Sequence, residues 1–128
     1  MRYVLDASAL LAGLNNEKGA DRVAEALDSG LVSAVNIAEV AAALIKNGNH
    51  PDQARSAIDI LGCTIIPADE ETAISAGFMR GITDRAGLSL GDRFCLALAR
   101  KLRAPALTTD RQWMLVADEL GVAVELIR

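Results

Sequence analysis

The residues of this chain that could do chemistry are carboxylates, and four of them occupy positions where α/β proteins build their sites. Asp6 ends a β-prone run, Asp110 follows a later one, Asp92 opens a helical segment, and Glu39 lies one turn into another. The chain has one histidine, His50, and two cysteines that form no C-x-x-C pair. A zinc site built from His and Cys is therefore not expected.

Four carboxylates brought close together would raise one another's pKa and resist ionisation unless a cation neutralises them. Mg²⁺ and Mn²⁺ meet this need because they prefer oxygen ligands and are held by a few carboxylates together with water and substrate phosphates. Such an ion activates water and stabilises the leaving oxygen during phosphodiester cleavage. The acidic set therefore predicts a magnesium- or manganese-dependent hydrolase acting on phosphodiester bonds.

Each acid also has an ordinary structural explanation. Asp6 and Asp110 are suited to capping the helices that follow them. Asp92 would be the third residue of a helix capped by Ser89, where a negative charge is stabilised by the helix dipole. Glu39 lies opposite the apolar ridge of its Ala-rich segment and could face solvent, although a solvated helix face usually carries several charges.

Short β-prone runs alternate with helical segments along the chain. The predicted strands are Arg2–Leu5, Leu31–Ala34, Thr64–Pro67, Ala104–Thr108 and Val122–Ile127. The predicted helices are Ala7–Leu14, Ala20–Leu27, Asn36–Ile45, Pro51–Leu61, Asp69–Arg85, Leu90–Leu102 and Asp110–Leu120. The helix that carries Asp92 is apolar on almost every side, which is typical of a helix buried inside a domain.

This alternation predicts the α/β class, with a central parallel sheet of about five strands covered by helices on both faces. We expect one domain over residues 1–128. Open parallel sheets place their working groups beyond the carboxyl ends of the strands. If the first and fourth strands are neighbours, the four acids converge at that edge.

Composition and net charge further limit the functions and locations that the chain could have. The chain has 128 residues, 52% of them hydrophobic, and a net charge of −4. A negative chain must rely on local basic patches or bound cations to approach nucleic acid. Without a signal peptide or a bilayer-length apolar run, we expect a soluble, cytoplasmic protein with no membrane contact. The aromatic residues are expected in the core: Tyr3, Phe78, Phe94 and Trp113.

Four stretches together resemble a known family. They are Tyr3–Ser8, Ser33–Val40, Leu88–Asp92 leading into Leu96–Ala99, and Leu107–Asp110. In this order and spacing they resemble the PIN domain in the form found in VapC toxins of VapBC toxin–antitoxin pairs. The resemblance covers essentially the whole chain, and although each motif is weak alone, four in sequence are specific.

The resemblance implies a metal-dependent endoribonuclease toxin that cleaves structured RNA such as transfer RNA, with Mg²⁺ or Mn²⁺ in an acidic cleft. It implies a homodimer inhibited by a cognate antitoxin that inserts into that cleft, and operator DNA binding by the antitoxin instead of this chain. The residues that carry over are the catalytic and metal-binding acids Asp6, Glu39, Asp92 and Asp110 and the supporting hydroxyls Ser8 and Thr108.

Three alternatives remain open. A receiver-like signalling domain needs a phosphoacceptor Asp after the third strand and a late lysine, whereas this chain has Pro67 there and no lysine after Lys101. A phosphatase with a nucleophilic Asp places a second Asp two residues later, where this chain has Ser8. A PIN scaffold kept only as a binding module is disfavoured by the presence of all four acids.

Overall fold

A five-stranded sheet, parallel throughout, forms the centre of the computed structural model, which describes residues 1–128. The strands are β1 (Val4–Leu5), β2 (Leu31–Ser33), β3 (Thr64–Ile66), β4 (Ala106–Thr108) and β5 (Val124–Leu126). Their order is β3-β2-β1-β4-β5, so β1 lies between β2 and β4. This confirms the predicted parallel sheet of about five strands, and it meets the condition that the first and fourth strands be neighbours.

Eight α-helices and two 3₁₀ turns connect the strands. The helices are α1 (Ala7–Leu14), α2 (Ala20–Leu27), α3 (Ala34–Lys46), α4 (Pro51–Leu61), α5 (Glu70–Phe78), α6 (Arg80–Thr83), α7 (Leu90–Leu102) and α8 (Ala117–Leu120). The 3₁₀ turns are Asp84–Ala86 and Arg111–Leu115. None of the helices combines the length and the apolar composition needed to cross a membrane.

The sheet separates two apolar layers, as an α/β/α sandwich requires. Val4 packs into a cluster with α7, whereas its neighbour Leu5 packs into a second cluster with α1 and α3. Ala106 and Leu107 of β4 divide between the same two clusters. Successive strand residues point to opposite faces. Both faces of the sheet are covered at its three inner strands β1, β2 and β4, where every residue is buried.

Helix α7 is buried through its middle and exposed at its ends. Every residue from Phe94 to Ala99 is buried, with Cys95 and Leu96 completely so. The sequence predicted an apolar helix throughout, but Leu90 is 53% exposed and Leu102 is 42% exposed. The helix is longer than the sheet layer that covers it, so its terminal turns reach solvent.

The predicted helix over Asp69–Arg85 is wrong as one continuous element. The structure divides it at Met79 into α5, α6 and the first 3₁₀ turn. Met79 is buried, and the N–H groups that follow it tighten toward i→i−3 bonding, as in the bond from Ile82 N to Met79 O. Glycines at positions 77 and 81 weaken helix propensity on either side of this break.

The predicted helix over Asp110–Leu120 also needs correction. Its first half is the 3₁₀ turn Arg111–Leu115, and only Ala117–Leu120 is α-helical. Trp113 is fully buried in this segment, which packs the chain tightly against the sheet and overrides simple helical periodicity. The observed strands are one to three residues shorter than predicted, and α3 begins two residues earlier.

Three of the four aromatic predictions are consistent with the structure, and one is wrong. Trp113 and Phe94 are buried, and Tyr3 is half-buried beneath the guanidinium of Arg22. Phe78 is 82% exposed at the end of α5. The break at Met79 turns the chain so that Met79, instead of Phe78, enters the core.

Candidate functional site

Asp6 lies where β1 ends, and its carboxylate caps the helix that follows. Its Oδ1 accepts hydrogen bonds from Ala9 N at 2.9 Å and from the Ser8 hydroxyl at 2.7 Å. Its Oδ2 accepts one from the Thr108 hydroxyl at 2.8 Å. The predicted capping role is therefore confirmed. Asp6 is only 4% exposed, so it caps the helix from a position that is unusually buried for an acidic residue.

Two hydroxyls join this carboxylate to the end of the neighbouring strand β4. Ser8 Oγ donates to Asp6 and accepts from Thr109 N at 3.1 Å. Thr108 Oγ1 donates to Asp6 and accepts from Asp110 N at 3.0 Å. Each hydroxyl has one proton to donate, and both protons are directed at Asp6. The arrangement fixes the orientation of the carboxylate and links the two strand ends.

Burial raises the pKa of Asp6 to about 6, despite the hydrogen bonds from Ala9, Ser8 and Thr108, which lower it. The negative charge of Asp92 raises it further. Desolvation penalises the ionised form, and a second carboxylate nearby adds repulsion. Thus the ionised Asp6 carboxylate is stabilised by hydrogen bonds alone, and no positively charged side chain contributes to its pKa.

Asp92 projects from the first turn of α7, where Ser89 is the N-cap as predicted. The Ser89 hydroxyl accepts from Asp92 N at 3.2 Å, and the Asp92 carboxylate accepts from Ser89 N at 2.8 Å. This reciprocal pair is a capping box. Burial raises the pKa of Asp92, its bonds with Ser89 lower it, and the charge of Asp110 raises it.

Glu39 projects from α3 and is held by Asn36, three residues earlier. Asn36 Nδ2 donates to Glu39 Oε1 at 2.8 Å and to the backbone carbonyl of Gly91 at 3.0 Å. Asn36 is only 1% exposed, whereas Glu39 is an exposed residue. The solvent-facing position foreseen for Glu39 is thus partly correct, but its carboxylate turns back toward the first turn of α7.

Asp110 follows β4 directly and caps the 3₁₀ turn that comes next. Its Oδ1 accepts from Gln112 N at 2.9 Å, which confirms the predicted capping role. Because β4 pairs with β1 in parallel, Asp110 and Asp6 emerge from the same edge of the sheet. The charge interaction between Asp92 and Asp110 places α7 at this edge as well.

The completely buried thiol of Cys95 reports how the acids are arranged around α7. Its pKa is raised well above the ordinary value, first by burial and then by the charges of Asp6, Asp92 and Glu39. These three carboxylates therefore lie near enough to Cys95 for their charges to act on it. Cys95 and Cys63 are both free.

The acids suit a hydrated hard cation better than a cage of direct ligands. No three acidic, His or Cys side chains are arranged as a group that could hold a metal ion. Mg²⁺ typically keeps several waters and uses one or two carboxylates. The donors at this edge are oxygens, and Asp6 bears a charge that burial disfavours. Asp6, Asp92, Asp110 and Glu39 therefore fit such an ion, some of them through water.

Sequence reasoning missed Asn36 and Gly91, which hold and accommodate the Glu39 carboxylate. A Cβ built on Gly91 would overlap the carboxylate of Glu39. The signal available in the sequence was a polar residue three positions before the single acid of an apolar helix. Arg93, the residue after Asp92, donates to the backbone carbonyl of Ala76 at 3.1 Å.

The largest concavity of the molecule is not at this edge. A cavity of about 710 Å³ lies at the opposite ends of the strands, between the start of β1 and the end of α7. A second groove of about 360 Å³ runs between α3 and α4. The acids themselves lie on an open edge of the sheet, where a large polymeric substrate would have access.

Comparison with solved structures shows proteins of the same fold. A chain of VapBC2 from Rickettsia felis, bound to a DNA fragment from its promoter, aligns with a TM-score of 0.76 over 98% of both chains at 19% identity. A toxin–antitoxin complex from Klebsiella pneumoniae gives 0.74 over 98% of both at 20% identity. VapC20 from Mycobacterium tuberculosis, a toxin that cleaves the sarcin-ricin loop, gives 0.73 at 18% identity, covering 89% of this chain and 94% of that one.

Comparison with sequence families is more direct. No curated protein sequence matches the chain. The family model of the PIN domain matches residues 3–119, a span that contains all four acids and both hydroxyls. The order of elements and the five-stranded parallel sheet agree with that assignment. This chain belongs to the PIN domain family.

Proposed function

We propose that this protein is a metal-dependent endoribonuclease, the toxin of a VapBC-type toxin–antitoxin pair. The observation that carries the proposal is the meeting of charges at one sheet edge. Asp6, buried and raised in pKa to about 6, interacts with Asp92, which in turn interacts with Asp110. Repulsion between these carboxylates destabilises the folded protein, and a bound cation would relieve it. Closely spaced acids of this kind are therefore expected at a cation site.

Mg²⁺ or Mn²⁺ would be held as a hydrated ion by Asp6, Asp92, Asp110 and Glu39, with one or two of these carboxylates bound directly and the others through water. When bound, the ion supplies an activated water and stabilises the leaving oxygen of a phosphodiester. The protein contributes orientation. Ser8 and Ala9 N both donate to Oδ1 of Asp6, whereas Thr108 is the one donor to Oδ2, which keeps a lone pair for the ion. Such hydrogen bonds to acidic ligands typically tune both their direction and their basicity.

The substrate we propose is structured RNA. The edge of the sheet that carries the four carboxylates is acidic, so the cation is needed both for chemistry and to offset repulsion between these carboxylates and the phosphates. The similarity to VapC20, which cleaves the sarcin-ricin loop, supports an RNA substrate. The open edge on which the acids lie is accessible to a folded RNA loop.

The decisive experiment incubates the purified chain with total RNA and sequences the newly formed RNA ends. Cleavage is expected with Mg²⁺ or Mn²⁺ and should be abolished by EDTA. Asp92→Asn should remove cleavage while the circular dichroism spectrum stays unchanged. Asp118→Asn, an exposed acid of α8, is the matched control and should cleave normally. Cleavage that survives EDTA would exclude the metal mechanism, and RNA binding without cleavage would favour a PIN scaffold that serves only as a binding module.

The partners we propose are a cognate antitoxin and a second copy of this chain. Several proteins with the same fold were solved as toxin–antitoxin complexes, two of them bound to DNA in the examples from Rickettsia felis and Salmonella typhimurium. We infer that the antitoxin inserts into the acidic cleft and supplies operator DNA binding. Co-expression with the neighbouring small gene should yield a complex in which RNA cleavage is inhibited. Sedimentation of the chain alone tests for the homodimer.

A further inference from the structure

The amide of Asn36 is fully committed to two acceptors on different helices. It lies in the first turn of α3, is 1% exposed, and donates to Glu39 Oε1 at 2.8 Å and to the Gly91 carbonyl at 3.0 Å. A carboxylate and a carbonyl can only accept, so the NH₂ group must face them. The buried Oδ1 of Asn36 has no hydrogen-bond partner. The Asn36 side chain therefore leaves its Oδ1 without a hydrogen bond in the orientation that lets Nδ2 donate to both acceptors.

Glu39 depends on that amide for its position. No other hydrogen bond and no ion pair holds its carboxylate, and the residue is exposed. A glutamate with free rotation about three side-chain bonds would otherwise sample many orientations in water. The bond from Asn36 selects the orientation in which the carboxylate points back toward α7.

Gly91 provides the space that this orientation needs. A Cβ on Gly91 would overlap both oxygens and the carboxyl carbon of Glu39. Glycine is unfavourable within a helix compared with alanine, so it is unexpected in the first turn of α7 on propensity alone. The carboxylate of Glu39 thus rests directly against the helix backbone, one residue before Asp92.

We propose that Asn36 is a positioning residue that acts together with the missing side chain of Gly91 to fix Glu39 beside Asp92, so that both carboxylates meet the same hydrated cation. This inference rests on the proposed function, since it assigns Glu39 to the cation. It adds two residues that the acidic set does not include. Residues that orient the acidic ligands of a metal typically change its affinity by 10- to 100-fold when replaced.

The test compares Mn²⁺ binding with thermal stability in three variants, using calorimetry or electron paramagnetic resonance for the metal. Asn36→Ala should weaken Mn²⁺ binding by about 10- to 100-fold and also lower the Tm, because it removes the hydrogen bond that ties α3 to the Gly91 carbonyl of α7. Gly91→Ala should weaken binding by a similar factor but lower the Tm less than Asn36→Ala does, because the higher helix propensity of alanine offsets part of the lost Asn36–Glu39 hydrogen bond. The atoms nearest to the added methyl are those of the Glu39 carboxyl group, the flexible end of that side chain.

Asn49→Ala is the matched control. Asn49 donates an amide bond at 3.0 Å to the Leu44 carbonyl at the far end of α3. Its loss should lower the Tm without changing the Kd for Mn²⁺. Wild-type affinity in Gly91→Ala, whatever the behaviour of Asn36→Ala, would overturn the positioning role and leave Asn36 as a structural tie between helices. Absence of Mn²⁺ binding by the wild-type chain would overturn the proposed function as well.

Discussion

Replacing Asp6 with asparagine should stabilise this protein at neutral pH, although it removes a residue at the centre of the proposed site. The substitution keeps the hydrogen bonds. The side-chain oxygen of the introduced asparagine can still accept from Ala9 N, and its NH₂ can donate to Thr108 Oγ1, whose own O–H would then turn toward Ser8 Oγ at 3.4 Å. Asparagine also caps helices about as well as aspartate. What disappears is the buried negative charge.

The magnitude follows from the pKa of Asp6. The carboxyl has a pKa of about 6 in the folded protein against an ordinary value of 3.8. One pKa unit corresponds to about 1.4 kcal/mol, so the ionised group costs the folded state about 3 kcal/mol above pH 6. Losing charge-assisted hydrogen bonds offsets part of the gain. We expect Asp6→Asn to raise the free energy of unfolding by about 1–3 kcal/mol at pH 7.5.

The sign of the pH dependence distinguishes this cause from others. Between pH 3.8 and about 6 the folded state binds more protons at Asp6 than the unfolded state does. The penalty is therefore complete above pH 6, declines as the pH falls, and is absent below the unfolded pKa. The stability advantage of Asp6→Asn should shrink from pH 7.5 to pH 4. Other acids such as Asp69, whose pKa is lowered, affect both proteins equally and cancel in the difference.

The assay is urea unfolding of both proteins in EDTA across that pH range. Asp59→Asn is the control, because Asp59 forms an exposed i,i+4 pair with Arg55 whose loss should change stability by less than about 0.5 kcal/mol. Addition of Mg²⁺ should narrow the gap by stabilising only the wild-type protein. If Asp6→Asn were less stable at pH 7.5, or if its advantage were independent of pH, the electrostatic reasoning would be refuted.

Three further predictions concern the surroundings of the acids. Thr108→Val removes the hydroxyl bonded to Asp6 and should cost about 1–3 kcal/mol in urea unfolding, because buried partners lose a hydrogen bond; the pKa of Asp6 should rise further. Ser89→Ala removes the N-cap bonded to Asp92 N and should cost about 1 kcal/mol, with an unchanged Tm arguing against the cap. Phe78→Ser should change stability by less than about 0.5 kcal/mol, because the ring is 82% exposed; a large loss would place it in an interface.

Much of the site could be predicted from the sequence because it depends on local rules. Asp6, Asp110 and Ser89 cap the segments that follow them, as their residue types predict. Ser8 and Thr108, assigned as supporting hydroxyls from the family resemblance, both donate to Asp6. Capping preferences and motif spacing act over a few residues, so they are readable without a structure.

The two hydrogen bonds from Asn36 to Glu39 and to the Gly91 carbonyl were not predictable in this way. The second bond joins positions 36 and 91, which are adjacent only after α3 and α7 have packed on the same sheet. The break at Met79 has a similar origin, since core packing decides which of two neighbouring apolar residues is buried. Helical periodicity cannot choose between Phe78 and Met79, because either could continue an apolar face.

The sequence by itself determined the alternation of strands and helices, the five-stranded parallel sheet, and the presence of acids at the ends of elements. Tertiary structure alone decided that β1 lies beside β4 and that Asp6 is buried with a raised pKa. The physical reason is the distance along the chain over which each effect acts. Propensity and capping are local free energies, whereas strand order, desolvation and repulsion between carboxylates arise only when distant segments meet.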